Sequence, residues 1–391
     1  MNTYKSYSDF EQHKLGLPKI VVLGMGGGGS NAVNRMIESG MQGVTFVAAN
    51  TDAQALASNL APHKIQLGPK LTRGLGAGGL PTVGESAADE STKELAAILQ
   101  GADMVFLTAG MGGGTGTGSI PIAARLAKEC GAVTIGIVTK PFSFELGRRQ
   151  KNAVTGLERL REHCDTLIVI PNDKLLEIAP RDLPLEMAFT LADDVLRQGV
   201  QGVSELITET GLINVDFSHI KNVMTRGGGA LMSIGTGEGP NKVQQAIEKA
   251  LHHPLLDDID LYSATGMIVN FTGSSDMSFK DVTDALKTLQ EATGGHADVI
   301  PGIITDDRMN DRVQLILIVT GIGAPQANLD RINVGGSAKN EISDPLPAET
   351  THEQSIEPES VDEIGLNHYP VQSDPADNLS VPAFLRRRAR K

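Results

Sequence analysis

Between Lys19 and Ile170 the chain alternates short apolar runs with amphipathic stretches. Ile20 to Leu23, Thr45 to Ala49, Met104 to Ala109, Val133 to Thr139 and Thr166 to Ile170 have the length and β-branched content of buried strands. That alternation predicts an α/β sheet of largely parallel strands. From Leu185 to Thr210 the apolar residues Ala188, Ala192, Val195, Leu196, Val203, Leu206 and Ile207 recur at helical spacing. They predict one long helix of about seven turns. The strand pattern resumes at Ala230 to Gly235, Met267 to Thr272, Val299 to Thr305 and Val313 to Thr320. Helices open between these strands at Asn241, with Gln244 three residues on, and at Ser278, with Asp281 three residues on. This block reads as a smaller α+β domain.

Three glycine-rich segments punctuate the first block. Gly112-Gly113-Gly114-Thr115-Gly116-Thr117-Gly118 lies between the apolar run Met104 to Leu107 and a helix-like stretch from Ile122 to Lys128. A glycine-rich turn at that junction lets several backbone N–H groups converge on one anion, with the positive end of the helix dipole behind them. The pattern predicts a phosphate cradle rather than a flexible linker, because linkers do not usually join a buried strand to an amphipathic helix. Gly24-Met25-Gly26-Gly27-Gly28-Gly29-Ser30-Asn31 holds the same position after Lys19 to Leu23, and Gly74-Leu75-Gly76-Ala77-Gly78-Gly79 is the third segment. Gly24, Gly26 and Gly29, with Asp52 downstream, also satisfy the G-x-G-x-x-G dinucleotide pattern, so an oxidoreductase is one alternative. Such an enzyme needs one phosphate turn, whereas three suit a nucleoside triphosphate wrapped along its whole tail. No G-x-x-x-x-G-K-[ST] supplies a lysine, which leaves backbone dipoles and a Mg2+ ion to neutralise the phosphates.

Composition narrows the class. With 391 residues, 40% hydrophobic and 21% charged, the chain is long enough for two packed domains and a tail. A net charge of -13 and the lack of a basic stripe interleaved with aromatics argue against nucleic acid. Neither Cys130 nor Cys164 has a partner at metal-site spacing, and the pairs His163-Cys164 and His252-His253 lack further ligands, so no protein metal site is expected. No apolar run is long enough to span a membrane, and Met1 to Leu17 is polar without a signal-peptide core. A cytoplasmic protein is expected.

Several ordered motifs carry a resemblance. The two longest glycine loops, Thr139-Lys140-Pro141-Phe142-Ser143-Phe144-Glu145, Ile170-Pro171-Asn172-Asp173-Lys174-Leu175-Leu176 and Gly211-Leu212-Ile213-Asn214-Val215-Asp216-Phe217 resemble the tubulin and FtsZ superfamily, from about Lys19 to Gly323. The resemblance implies a Rossmann-like GTPase domain over residues 18–184, a central helix at 185–210 and an α+β C-terminal domain at 211–323 that carries a catalytic loop. It implies a GTP-binding protein that polymerises head to tail and builds the ring of bacterial cell division. Its place would be the cytoplasm, at the division site on the inner face of the membrane.

The resemblance also assigns roles. Gly27, Gly28, Gly29, Ser30 and Asn31 match the first phosphate loop. Gly113, Gly114, Thr115, Gly116 and Thr117 match the signature loop, and Gly76, Ala77 and Gly78 the loop that senses the γ-phosphate. There Gly79-Leu80-Pro81 departs from the common Ala-Asn-Pro. Glu145 matches a carboxylate that accepts from ribose hydroxyls and Arg149 the cation beside it, although a pair four apart on a helix is also a common surface ion pair. Asn172 and Asp193 match guanine or ribose contacts, and Phe189 a ring stacked on the base, with core packing as its alternative. GTP or GDP, with Mg2+ on the phosphates, is the implied ligand.

In this family hydrolysis is split between subunits, and the loop after the central helix reads Asn, any residue, Asp, Phe, any residue, Asp. Here it reads Asn214-Val215-Asp216-Phe217-Ser218-His219, so the second acid is replaced. An imidazole can accept a proton from water, but it brings no negative charge and is a poor ligand for Mg2+. Asn214, Asp216 and His219 are therefore the candidate catalytic residues, and reduced turnover is expected. A paralogue that binds GTP and assembles but hydrolyses poorly is the second reading. Asp216 also reads as a helix N-cap.

After Gly323 the composition changes. Glu341 to Ser380 holds ten carboxylates and no lysine or arginine, so residues 324–378 read as a disordered acidic linker. Residues 1–17 read as a flexible extension. At 379–391, Val381-Pro382-Ala383-Phe384-Leu385 precedes Arg386, Arg387, Arg388, Arg390 and Lys391. This resembles the FtsZ tail peptide, and Val381 to Arg388 are expected to bind membrane-tethering and regulatory proteins.

Overall fold

The computed structural model describes residues 18–322 except 146, 181, 210, 214 and 257–259. The expected extension 1–17, the linker 324–378, the tail peptide 379–391 and Asn214 lie outside the described residues.

The strands are β1 (Ile20–Met25), β2 (Thr45–Asn50), β3 (His63–Gln66), β4 (Met104–Gly110), β5 (Val133–Lys140), β6 (Thr166–Pro171), β7 (Gly229–Glu238), β8 (Gly266–Gly273), β9 (Asp298–Thr305) and β10 (Arg312–Ile322). They follow one another in the order β3-β2-β1-β4-β5-β6-β7-β10-β8-β9. From β3 to β6 every pair is parallel, as expected for strands connected by helices. The link to the second half is the single pair Ile168 with Ala230. Beyond it β10 runs antiparallel to both β7 and β8, and β9 lies parallel to β8.

The helices of the first half are α1 (Gly26–Glu38), α2 (Ala53–Ala57), α3 (Pro69–Thr72), α4 (Pro81–Glu90), α5 (Thr92–Leu99), α6 (Thr115–Glu129), α7 (Gly147–Arg161) and α8 (Asn172–Ile178). The central helix α9 (Leu185–Thr208) is followed by α10 (Phe217–Thr225), α11 (Lys242–Leu251) and α12 (Phe279–Ala292). Three apolar layers result. One lies between the parallel sheet and α1 with α9, through Val22, Val33, Met36, Phe106, Leu196 and Val200. A second covers the opposite face under α4 to α7, and a third joins β8 and β10 to α11 and α12.

The sequence pattern and the structure differ in two instructive places. The helices α1 and α6 begin inside the glycine runs, at Gly26 and Thr115, several residues before the first apolar-periodic residue. Their first turns are built of small residues because the backbone itself, rather than side chains, faces the ligand end. At Asn241, expected to cap a helix, the side chain makes no capping bond; a short 3₁₀ turn, Gly239–Asn241, leads into α11 instead. Ser278 does cap α12, accepting from the Asp281 N–H.

Candidate functional site

The carboxyl ends of the parallel strands carry the chemistry. A cleft of about 390 Å³ opens there, walled by Gly27, Gly28, Asn31, Gly113, Gly114, Thr115, Gly116, Glu145, Arg149, Asn172, Phe189 and Asp193. The structure thus brings together twelve of the residues named from sequence, drawn from segments as far apart as Gly27 and Asp193. Its floor adds Gly110, Met111, Thr139, Pro141 and Ala192. No protein atom lies within 4 Å of the place where a side chain would begin at Gly27 or Gly113. The first-turn N–H groups of α1 and α6 have no intrahelical acceptor, which is the arrangement a phosphate needs. A larger hollow of about 760 Å³, between α9, β7 and α11, lacks any glycine cradle and is not the phosphate site.

Other named residues stand behind this wall. A methyl at Gly29 would sit 2.2 Å from the Thr108 carbonyl oxygen, so this glycine lets α1 approach β4. The buried Ser30 hydroxyl has no hydrogen-bond partner, while its carbonyl accepts from the Asn59 side chain at 2.8 Å. The Thr117 hydroxyl accepts from the Gly112 N–H at 2.8 Å and is buried, so it shapes the loop rather than facing the cleft. Gly76, Ala77 and Gly78 do not line the cleft; their segment abuts Gly114 at Ala77, and Asn152 of α7 donates to both Gly79 O and Gly112 O. Asp52 caps α2 by accepting from the Gln54 and Ala55 N–H groups and is not a ribose ligand of the dinucleotide kind.

Around the base end of the cleft the polar groups are partly matched. Glu145 accepts from the Phe142 N–H at 2.9 Å and pairs with Arg149, so the surface ion pair foreseen for these two is present at the cleft wall. Phe189 is 40% exposed and meets Phe142 edge to face with centroids 5.4 Å apart; it leaves a ring face at the cleft rather than in the core. The Asn172 side-chain oxygen is buried with no partner. Burial pushes the Asp193 carboxyl up to about 6, and Arg35 on α1, with its Nε 3.6 Å from Asp193 Oδ2, opposes that shift. An orphaned acceptor and an under-solvated carboxylate lining one cleft fit a base edge with two adjacent N–H donors, the N1–H and N2–H pair of guanine; adenine offers only its amino group there.

Comparison with known proteins agrees with this geometry. Residues 19–180 match the Tubulin/FtsZ family GTPase domain, and residues 228–323 match the FtsZ family C-terminal domain. An FtsZ dimer structure from M. jannaschii is 45% identical, with a TM-score of 0.75 over 81% of this chain and 92% of that one. The chain belongs to the FtsZ family. CetZ2 from Haloferax volcanii, solved as a GTPγS-bound protofilament, is 22% identical with a TM-score of 0.66 over 79% of this chain and 94% of that one, and shares the fold. The FtsZ assignment makes this a guanine-nucleotide-binding GTPase fold and removes the oxidoreductase alternative.

The second group of candidates lies elsewhere. Asp216 and His219 are exposed at the start of α10, after the C-terminal end of the central helix whose N-terminal part lines the cleft. Asp216 caps α10, accepting from the Ser218 N–H at 2.8 Å, and that bond, with the nearby His219, holds its carboxyl below the usual range. The preceding segment is pinned to β9: the Leu212 N–H donates to Ile303 O at 3.0 Å, and Ile213 bridges Ile303. From Asp193 to Thr208 the helix α9 alone covers about 22 Å at 1.5 Å per residue. That length of helix lies between the cleft residue Asp193 and the segment that carries Asp216.

Arg35 and Thr139 were not among the candidates drawn from sequence. Thr139 opens the Thr-Lys-Pro-Phe motif and carried a signal; Arg35 sits mid-helix and carried none. The Cys164 thiol is pushed up to about 12 by burial, a group without nucleophilic use. Among the described residues no cluster of three or more His, Cys, Asp or Glu could hold a metal ion, and no helix is long and apolar enough to cross a membrane.

Proposed function

We propose that this FtsZ-family chain binds GTP in the glycine cleft and hydrolyses it only when a second copy presents Asp216 to that cleft. The observation that supports this most directly is the separation of the cleft from Asp216 by the length of α9. Head-to-tail stacking along the helix axis joins the two. Exposed apolar side chains at each end favour such stacking: Leu75 is 86% exposed beside the cleft loops, and Leu212 is 78% exposed on the catalytic loop. In the cleft, the α1 and α6 backbones would hold the phosphates, Phe189 would cover the base, and Asn172 with Asp193 would accept from it. A Mg2+ ion bound with the nucleotide would neutralise phosphate charge; with no acidic cluster among the described residues, it would be held chiefly by phosphate and water oxygens. Cells would use the polymer as a division ring at the inner face of the membrane, tethered through Val381 to Arg388.

Phosphate release from GTP measured against protein concentration tests the shared site. Release per molecule is expected to stay near zero until filaments form and then to rise steeply. A rate strictly proportional to protein from the lowest concentrations would mean that each chain hydrolyses alone.

His219 supports a further reading of the same site. An imidazole replaces a carboxylate at the residue one helical turn from Asp216. Turnover is therefore expected to be slow, favouring long-lived filaments. The variant His219→Asp should raise GTP turnover by roughly ten- to a hundredfold, which corresponds to about 1.4–2.7 kcal/mol of barrier. Unchanged turnover in His219→Asp filaments would show that this position does not limit the reaction.

A further inference from the structure

We infer that Arg35 is the positioning residue that makes the cleft selective for guanine, acting through Asp193; this rests on the proposed role of Asp193 at the base. Arg35 does not line the cleft. It projects from α1 against α9, where its Nη2 donates to Thr190 Oγ1 at 3.0 Å and its Nε lies 3.6 Å from Asp193 Oδ2. That Nε is buried and has no hydrogen-bond partner. Thr190 is itself fixed, its hydroxyl donating to the Glu186 carbonyl. The guanidinium is thus held beside the carboxylate, at ion-pair distance and with its Nε donor not yet spent.

The surrounding charges leave Arg35 as the one that matters to Asp193. On α9 Asp194 is matched by Arg197, and on α8 Lys174 pairs with Glu177. Asp173 accepts from the Ser143 N–H, and across the cleft Glu145 pairs with Arg149. Asp194 also feels Arg35 but has Arg197 as its nearer partner, whereas Asp193 is mostly buried and has Arg35 as its counter-charge. A buried carboxylate serves as a double acceptor for guanine N1–H and N2–H only while ionised, and an ionised carboxylate at that depth needs a counter-charge. Adenine offers this edge one amino group and no ring N–H beside it, so it would gain less from the charge. Selectivity follows from the ion behind the acceptor as much as from the acceptor.

The sign of the pH effect is fixed by the same chemistry. Free Asp193 has a raised pKa, so the unliganded protein holds its proton more tightly than the unfolded chain does. Guanine binding favours the ionised form, so GDP affinity should fall as pH drops through about 6. Removing an opposite charge at this distance moves a carboxyl upward by roughly one unit or more. The midpoint in Arg35→Ala is therefore expected to move upward to near neutrality.

The experiment titrates the full chain with fluorescent GDP and, in parallel, fluorescent ADP between pH 5 and 8, for the wild type, Arg35→Ala and Arg35→Lys. The expected result is a loss of GDP affinity for Arg35→Ala that grows from about twofold at pH 7 to roughly tenfold at pH 5, a smaller change for ADP, an upward shift of the pH midpoint, and partial recovery in Arg35→Lys. Equal losses for GDP and ADP, or a GDP affinity and midpoint that match the wild type, would overturn the assignment. If Arg35→Ala fails to fold, Arg35→Lys alone decides: a weakened GDP affinity with an unmoved pH midpoint would rule the idea out. A wild-type chain that binds GDP no better than ADP would instead defeat the underlying guanine reading.

Discussion

Asp216→Ala is expected to lower GTP turnover by about a hundredfold at protein concentrations where filaments form, with GDP affinity of the dilute protein unchanged. A hundredfold slowing corresponds to losing about 2.7 kcal/mol of transition-state stabilisation, the scale for one well-placed polar group near a reacting water. The separation of effects is the informative part. Asp216 lies beyond the far end of α9 from the cleft and is exposed, so its removal leaves the nucleotide wall intact. Its other role is to cap α10 through the Ser218 N–H, and losing a cap costs about 1 kcal/mol. Asp216→Asn keeps a capping acceptor while removing the charge, so turnover should fall in both variants but thermal stability chiefly in Asp216→Ala. A hundredfold loss of turnover in Asp216→Ala that Asp216→Asn fully restores would assign Asp216 to structure alone.

Gly118→Ala should abolish GDP binding and destabilise the nucleotide domain by about 3 kcal/mol, at or above the upper end for overpacking. The added methyl would lie 1.9 Å from the Pro81 carbonyl oxygen and 2.7 Å from the Glu85 nitrogen. Both contacts are backbone, so no side chain can swing away, and α4 must separate from α6. The disturbance reaches the cleft directly, because α6 starts at Thr115 and its first turn forms part of the phosphate wall. Gly147→Ala is the control: a glycine at the start of α7 with no atom within 4 Å of the added methyl. Thermal unfolding and GDP titration of the two variants should differ sharply. Wild-type GDP affinity in Gly118→Ala would mean that the two helices can part without moving the signature loop.

Much of the cleft wall was legible because it is largely backbone, and backbone exposure writes itself into sequence as glycine. Gly27, Gly28, Gly113, Gly114 and Gly116 line one cleft. Thr117 illustrates the limit. A threonine in a glycine run can donate to a ligand or hold the loop, and only the geometry shows that its hydroxyl is taken by the Gly112 N–H. Gly29 reads as a phosphate residue by its neighbours, and the packing adds a second reason for glycine there, the close approach of the Thr108 carbonyl. Glu145 and Arg149 show that two readings can hold together, since the ion pair and the cleft wall are the same atoms seen from two sides.

Alone, the sequence determined the strand and helix order, the long central helix, the family and most of the cleft wall. Those features are local: period-two and period-3.6 burial, and contiguous motifs whose chemistry acts through neighbouring backbone groups. Tertiary structure decided what depends on distance between segments far apart in the chain. It set Arg35 of α1 behind Asp193 of α9, and it tied the loop at Leu212 to Ile303. It also placed Asp216 a helix length away from the nucleotide it is proposed to act on. Such placements are sums over packed layers, set by which elements pack against which and not by any local pattern along the chain.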